Sequence, residues 1–122
     1  MIKLQLISDV HTEFHRDVGV SFIDSLRLDN IDALVVAGDL SDSRGLLIAL
    51  QMLAVKCKLP ILYVTGNHEF YHSDLSTVSY GIRSIQRRFP HFHCLENNIV
   101  EISGHRILGT TLWFREDPLN EL

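Results

Sequence analysis

Three short polar stretches, Asp9-Val10-His11, Gly38-Asp39 and Gly66-Asn67-His68-Glu69, carry the residue types that could do chemistry in this chain. Each follows directly on an apolar run: Leu4 to Ser8, Ala33 to Ala37 and Ile61 to Thr65. The runs are rich in strand formers, and the third is bounded by Pro60 and Gly66. They read as buried strands that deliver polar groups at their carboxyl ends. In open α/β sheets that edge is where ligands bind. Asp9 and His11 are two apart, so in extended backbone both side chains point the same way, which suits a clamp on one metal ion. Gly38 lets the backbone turn sharply and leaves Asp39 at the centre of the edge, where a carboxylate with two oxygens can bridge two cations. Asn67 adds a neutral amide oxygen. Imidazole, carboxylate and amide oxygen together suit Mn²⁺, Fe or Zn²⁺ better than a thiolate-loving ion. Two such ions ~3.5–4 Å apart can clamp a phosphoryl group and activate a water. His68, not needed as a ligand, is then placed to hydrogen-bond the phosphate or protonate the leaving group, with Glu69 beside it to orient it.

The elements that must position these groups follow from periodicity and turn chemistry. Ile2 to Ser8 reads as the first strand and Asp9 to Gly19 as a polar loop; Val20 to Leu28 is only loosely helical in spacing. After the second strand, Leu40 to Ser43 supplies cap-type residues before an apolar helix from Leu46 to Val55, ended by Lys56 and Lys58 and apolar on most sides. A second helix has the cleanest pattern: Ser73 as cap, Asp74 in the first turn, then Leu75, Val78, Ile82, Ile85 and Phe89 as one core stripe. Arg87 and Arg88 suit its last turn, and Pro90 stops it. His91 to Leu95 reads as a short strand, and Asn98–Ile102 and His105–Leu108 flank Ser103-Gly104 as a tight hairpin. The tail from Phe114 to Leu122 has no strong pattern. Short connections between strand and helix imply right-handed crossovers and a largely parallel sheet with the first three strands inside, extended by the antiparallel hairpin.

Composition narrows the class. A chain of 122 residues is expected to form one domain, residues 1–122, burying about two thirds of its unfolded surface. With 46% hydrophobic and 21% charged residues, neither disorder nor a fibrous repeat is expected. The formal charge of −4 argues against a nucleic-acid binder held by bulk electrostatics, but leaves nucleic acid open as a substrate because bound dications reverse the local sign. Cys57 and Cys94 form no C-x-x-C pair and read as structural thiols. No stretch approaches the ~20 apolar residues that span a bilayer, and no signal peptide is evident, so no membrane partner and a cytoplasmic location are expected. His15, His72, His91, His93 and His105 read as surface or core histidines.

Taken singly, any of the three polar stretches is an ordinary turn; in order, each at a strand end, they resemble the first three signature blocks of the calcineurin-like metallophosphoesterases. Val36-Ala37-Gly38-Asp39-Leu40, Gly66-Asn67-His68-Glu69-Phe70-Tyr71 and Leu108-Gly109-Thr110-Thr111-Leu112-Trp113 also resemble the bacterial and phage-type members. The resemblance covers essentially the whole chain. It implies a β-α-β-α-β half of a four-layer αββα sandwich. It also implies hydrolysis of phosphate mono- or diesters, of a small molecule or a nucleotide, by a dinuclear centre of two divalent metal ions. Carried over, Asp9 and His11 hold the first ion, Asp39 bridges, Asn67 holds the second, and His68 is catalytic without ligating. Family members are about twice this long, and their second half adds further histidines, among them a Gly-His-x-His block that is absent here; Gly104-His105-Arg106-Ile107 lacks the second histidine. The second metal site is therefore expected to be incomplete, to be filled by a missing C-terminal half or a homo-oligomer. The alternative reading is a catalytically impaired, truncated fold acting as a binding or oligomerisation module.

Overall fold

The computed structural model describes residues 1–112. Strand and helix alternate as β1 (Leu4–Ile7), α1 (Val20–Ser25), β2 (Ala33–Ala37), α2 (Leu46–Lys56), β3 (Ile61–Val64), α3 (Leu75–Arg88) and β4 (Phe92–Cys94), followed by β5 (Asn98–Ile102) and β6 (His105–Gly109). The first four strands form one parallel sheet in the order β1-β2-β3-β4, with Leu4 opposite Ala33, Leu34 opposite Ile61 and Ile61 opposite Phe92. The sequence places the first three strands inside, but β1 is an edge. The short segment after α3 adds itself beside β3, leaving β2 and β3 central. The loosely helical segment after the first loop closes into only six residues, Val20–Ser25.

One face of the sheet carries the main core. Leu34, Val36, Ile61, Tyr63 and Phe92 meet Ile23 of α1, Leu46, Leu50 and Leu53 of α2, and Val78, Ile82 and Ile85 of α3. Each fully buried aliphatic side chain contributes about 1.5–3 kcal/mol of hydrophobic stabilisation. Helix α2 packs between α1 and α3, which accounts for apolar residues on most of its sides. Helix α3 keeps its expected stripe except at its first position, where Leu75 is 69% exposed. Its cap is Asp74, which accepts the Thr77 N–H at 2.8 Å, and not Ser73; Asp74 has the extended backbone (φ −128°) that an N-cap needs.

The other face is smaller. Ala33, Leu62 and Leu95 pack on Ile102 of the hairpin, which makes a two-stranded sheet of its own lying against this face, not an extension of the main sheet. Ser103 and Gly104 at its turn both have positive φ (51° and 78°), as a two-residue type I′ connection requires. The hairpin leaves the β1 end of the face open, with Leu4 and Leu6 exposed. Cys57 and Cys94 are both free, and burial pushes the Cys94 thiol up to about 11. Among the described residues no helix is long and apolar enough to cross a membrane. Trp113 and the tail from Phe114 lie outside the described residues.

Candidate metal centre

The carboxyl ends of β1, β2 and β3 lie side by side, and the loops leaving them are laced together by backbone hydrogen bonds. Asp9 N–H donates to the Gly38 carbonyl (3.1 Å), His11 N–H to that of Asp39 (3.1 Å) and Thr12 N–H to that of Leu40 (2.9 Å). This lacing bends the first loop. Asp9 and His11 are not extended: both adopt the left-handed region, at φ 53° and 51°, and Asp39 joins them at 53°. Non-glycine residues held there cost about 1–3 kcal/mol each and cluster at functional sites. The expected extended clamp is thus replaced by a curled one, in which His11 Nε2 still lies 3.8 Å from Asp9 Oδ1.

Two glycines let the second and third loops touch. Gly38 turns at φ 82°, as its place before Asp39 predicts, and a Cβ there would lie 2.8 Å from Gly66 N. A Cβ on Gly66 would in turn collide with the Asp39 carboxylate and lie 2.8 Å from Asp39 N. Asp39 is therefore packed flat against the third loop, and its Oδ1 accepts the His68 N–H at 3.0 Å.

His11, Asp39 and His68 each bring one ligand-type atom within 4.8 Å of the others, a cluster able to hold a metal ion. Their imidazoles meet edge to face with centroids 4.3 Å apart, and the His68 ring lies against Tyr71 at 4.4 Å. Asp9 stands beside this cluster with its side chain 67% exposed. Asn67 is exposed, its amide donating to the Tyr71 hydroxyl at 2.7 Å. Of the five residues expected at the site, three form the cluster and two flank it.

The sequence reading missed Glu13. Its Oε1 meets His68 Nδ1 at 2.9 Å and His11 Nδ1 at 3.3 Å, while Oε2 accepts the Asp42 N–H at 3.2 Å. The only signal was its place two residues after His11. The Glu13 bond raises the His68 pKa above the ordinary histidine value. Partial burial pushes Glu13 upward, but the hydrogen bond from His68, with those from its own backbone and from His11, leaves its pKa below the ordinary value. Glu69, expected to orient His68, does something else. It is fully buried, accepting from Leu40 N (3.2 Å), the Tyr63 hydroxyl (2.9 Å) and Gly66 N (2.9 Å), so it ties the second and third loops to the core. Burial raises the Glu69 pKa and, with Glu69 beside it, raises that of Tyr63 well above its usual value.

The donor set suits a divalent cation. Carboxylates and imidazoles converge, and among the described residues the salt-bridge partners of Asp9 and Glu13 are imidazoles alone. The profile of the calcineurin-like phosphoesterases matches residues 2–120. The chain belongs to that family. No curated protein and no solved structure matches it. A calcineurin-like phosphoesterase acts on phosphoester bonds with divalent metal ions, and both the parallel sheet and the cluster at its carboxyl edge agree with that assignment.

Proposed function

We propose that this chain hydrolyses phosphate mono- or diesters at a centre of two divalent metal ions, Mn²⁺, Fe or Zn²⁺, built on the tips of β1, β2 and β3, the second ion needing ligands beyond Asp39 and Asn67. The observation that carries the reading is the convergence of His11, Asp39 and His68, drawn from three separate loops, within 4.8 Å. Asp9 and His11 would hold the first ion, Asp39 would bridge and Asn67 would hold the second. Bound dications supply a nucleophilic water and charge neutralisation for the phosphoryl group. The chain's own residues do the rest. Gly66 lets Asp39 lie against the third loop, the His68 N–H fixes one Asp39 oxygen, and His68, held through Nδ1 by Glu13, keeps Nε2 for a proton to the leaving oxygen or a bond to phosphate. The substrate is a small phosphoester or a nucleotide.

The test is Mn²⁺-stimulated hydrolysis of an activated phosphodiester such as bis(p-nitrophenyl) phosphate. Asp39→Asn should lower the rate by about 100-fold or more, beyond what loss of an outer-shell partner usually costs. No turnover with Mn²⁺, Fe²⁺ or Zn²⁺, or an unimpaired Asp39→Asn, would refute the reading.

A second reading, a binding or oligomerisation module, is favoured by the open β1 end of the sheet, where Leu4 and Leu6 are 43% and 66% exposed. It predicts a dimer with at most one metal per chain. A monomer binding two metals by elemental analysis rules it out.

A further inference from the structure

We propose that Glu13 is a positioning residue that fixes the tautomer of two imidazoles at once: its Oε1 accepts Nδ1–H from both His11 and His68, so each ring presents an unprotonated Nε2. The inference rests on the proposed hydrolase only for its purpose. Its geometry stands alone.

An ionised carboxylate has lone pairs and no proton to give. Oε1 faces two ring nitrogens, at 2.9 Å and 3.3 Å, and Oε2 is already engaged by the Asp42 N–H at 3.2 Å. If either ring carried its proton on Nε2 instead, a lone pair would face the carboxylate at hydrogen-bonding distance, in a side chain only 8% exposed. A neutral imidazole has a single N–H. Placing it on Nδ1 leaves Nε2 as the free donor atom of both rings. At His11 that atom looks toward Asp9 Oδ1 across 3.8 Å, too long for a hydrogen bond and open to a shared cation. At His68 that lone pair can take up a proton, and the ring so protonated, still held through Nδ1 by Glu13, has an Nε2–H to give to the leaving oxygen or to phosphate. Because one oxygen serves both rings, the ligand histidine and the catalytic histidine are set together.

The single-oxygen arrangement also explains why a carboxylate is required. In Glu13→Gln the amide oxygen can face the rings only if the NH₂ group confronts the Asp42 N–H, donor against donor. The flipped amide aims NH₂ at two Nδ1 atoms that would then have to be acceptors. Either rotamer breaks part of the set, and the flipped one moves the ring protons to Nε2.

The experiment is long-range ¹H–¹⁵N correlation of the histidine rings in the metal-free protein at about pH 8.5, above the usual histidine range. The wild type should show His11 and His68 both as the Nδ1–H tautomer; an Nε2–H pattern in either ring overturns the proposal, whatever any variant does. In Glu13→Gln the flipped rotamer, the one that leaves an acceptor on the Asp42 N–H, should move at least one ring proton to Nε2, and in either rotamer Mn²⁺ affinity by titration calorimetry should fall about 10–100-fold, the usual cost of losing an outer-shell partner. Unchanged tautomers with unchanged affinity also overturn it. The wild-type spectrum needs neither metal nor substrate. Two Nδ1–H rings in a chain without hydrolase activity sink the proposed function alone, and hydrolysis by a chain with Nε2–H rings sinks this inference alone.

Discussion

At Gly66 a hydrogen atom in place of a methyl group decides where the Asp39 carboxylate can sit. A Cβ there would collide with that carboxylate and lie 2.8 Å from Asp39 N. Backbone is the least yielding of neighbours, so Gly66→Ala should displace Asp39 from His11 and His68, with an overpacking cost of about 1–3 kcal/mol. Mn²⁺ affinity should drop at least about tenfold, as a positional error at a metal ligand requires, while the variant remains folded by urea titration; wild-type affinity in Gly66→Ala would refute the account. The glycines, Asp39 and His68 were legible because each stands at the end of an apolar run, where composition changes within two or three residues. Glu13 was not legible. Its decisive contact reaches His68, 55 positions away, through a loop whose curl depends on left-handed backbone at Asp9 and His11. Nothing in an aspartate or histidine announces positive φ as a glycine does. Glu69 misled for the related reason that adjacency to His68 says nothing about which way a side chain faces at the start of a 3-10 turn.

Among elements, legibility followed the strength of the local pattern. Helices α2 and α3 and strands β2 and β3 were readable to within a residue or two, because their apolar runs are long or strictly periodic and their stops are marked. Helix α1 and the edge strand β4 are six and three residues long, and tertiary packing, more than propensity, makes them what they are. The segment between β2 and α2 shows how a loop is fixed without regular structure. Asp42 is buried, its Oδ1 accepting from Arg44 N (3.1 Å) and Gly45 N (3.3 Å), its Oδ2 from Arg44 Nη2 (2.6 Å) and Nε (2.9 Å), with His72 Nε2 3.9 Å away and the Glu13 carboxylate on its own N–H. Burial works against its ionisation, but the Arg44 bonds and charge prevail and hold its pKa below the ordinary aspartate value. A carboxylate with a depressed folded pKa stabilises the fold above its unfolded value, near pH 4, and that contribution disappears as pH falls through the folded pKa. Asp42→Asn keeps the backbone acceptor and removes the charge. In urea unfolding it should be less stable than wild type at neutral pH, with the gap narrowing steadily below about pH 4; a gap independent of pH would show that Arg44 contributes nothing through charge.

On the scale of the whole molecule, the site exists only when three strand tips are side by side. Its residues run from Asp9 to His68, and the groups that hold them reach the core through Glu69 and Tyr63. The unfolded chain has no such arrangement, so a divalent cation held here binds the folded state in preference and must stabilise it by linkage. At a free concentration a hundredfold above Kd the gain is about 2.7 kcal/mol, which for a chain of this size raises Tm by about 10 °C. Thermal unfolding in excess Mn²⁺ against EDTA measures it directly. The rise should vanish in Asp39→Asn and shrink in Glu13→Gln, whereas Leu6→Lys, whose side chain lies exposed on the open face of β1, should leave it intact. That last comparison separates the two ways the molecule could gain stability. If Mn²⁺ acted by bringing chains together over the exposed β1 end of the sheet, Leu6→Lys would abolish the rise and the rise would grow with protein concentration. If the cation is held within one chain, the rise depends on metal concentration alone.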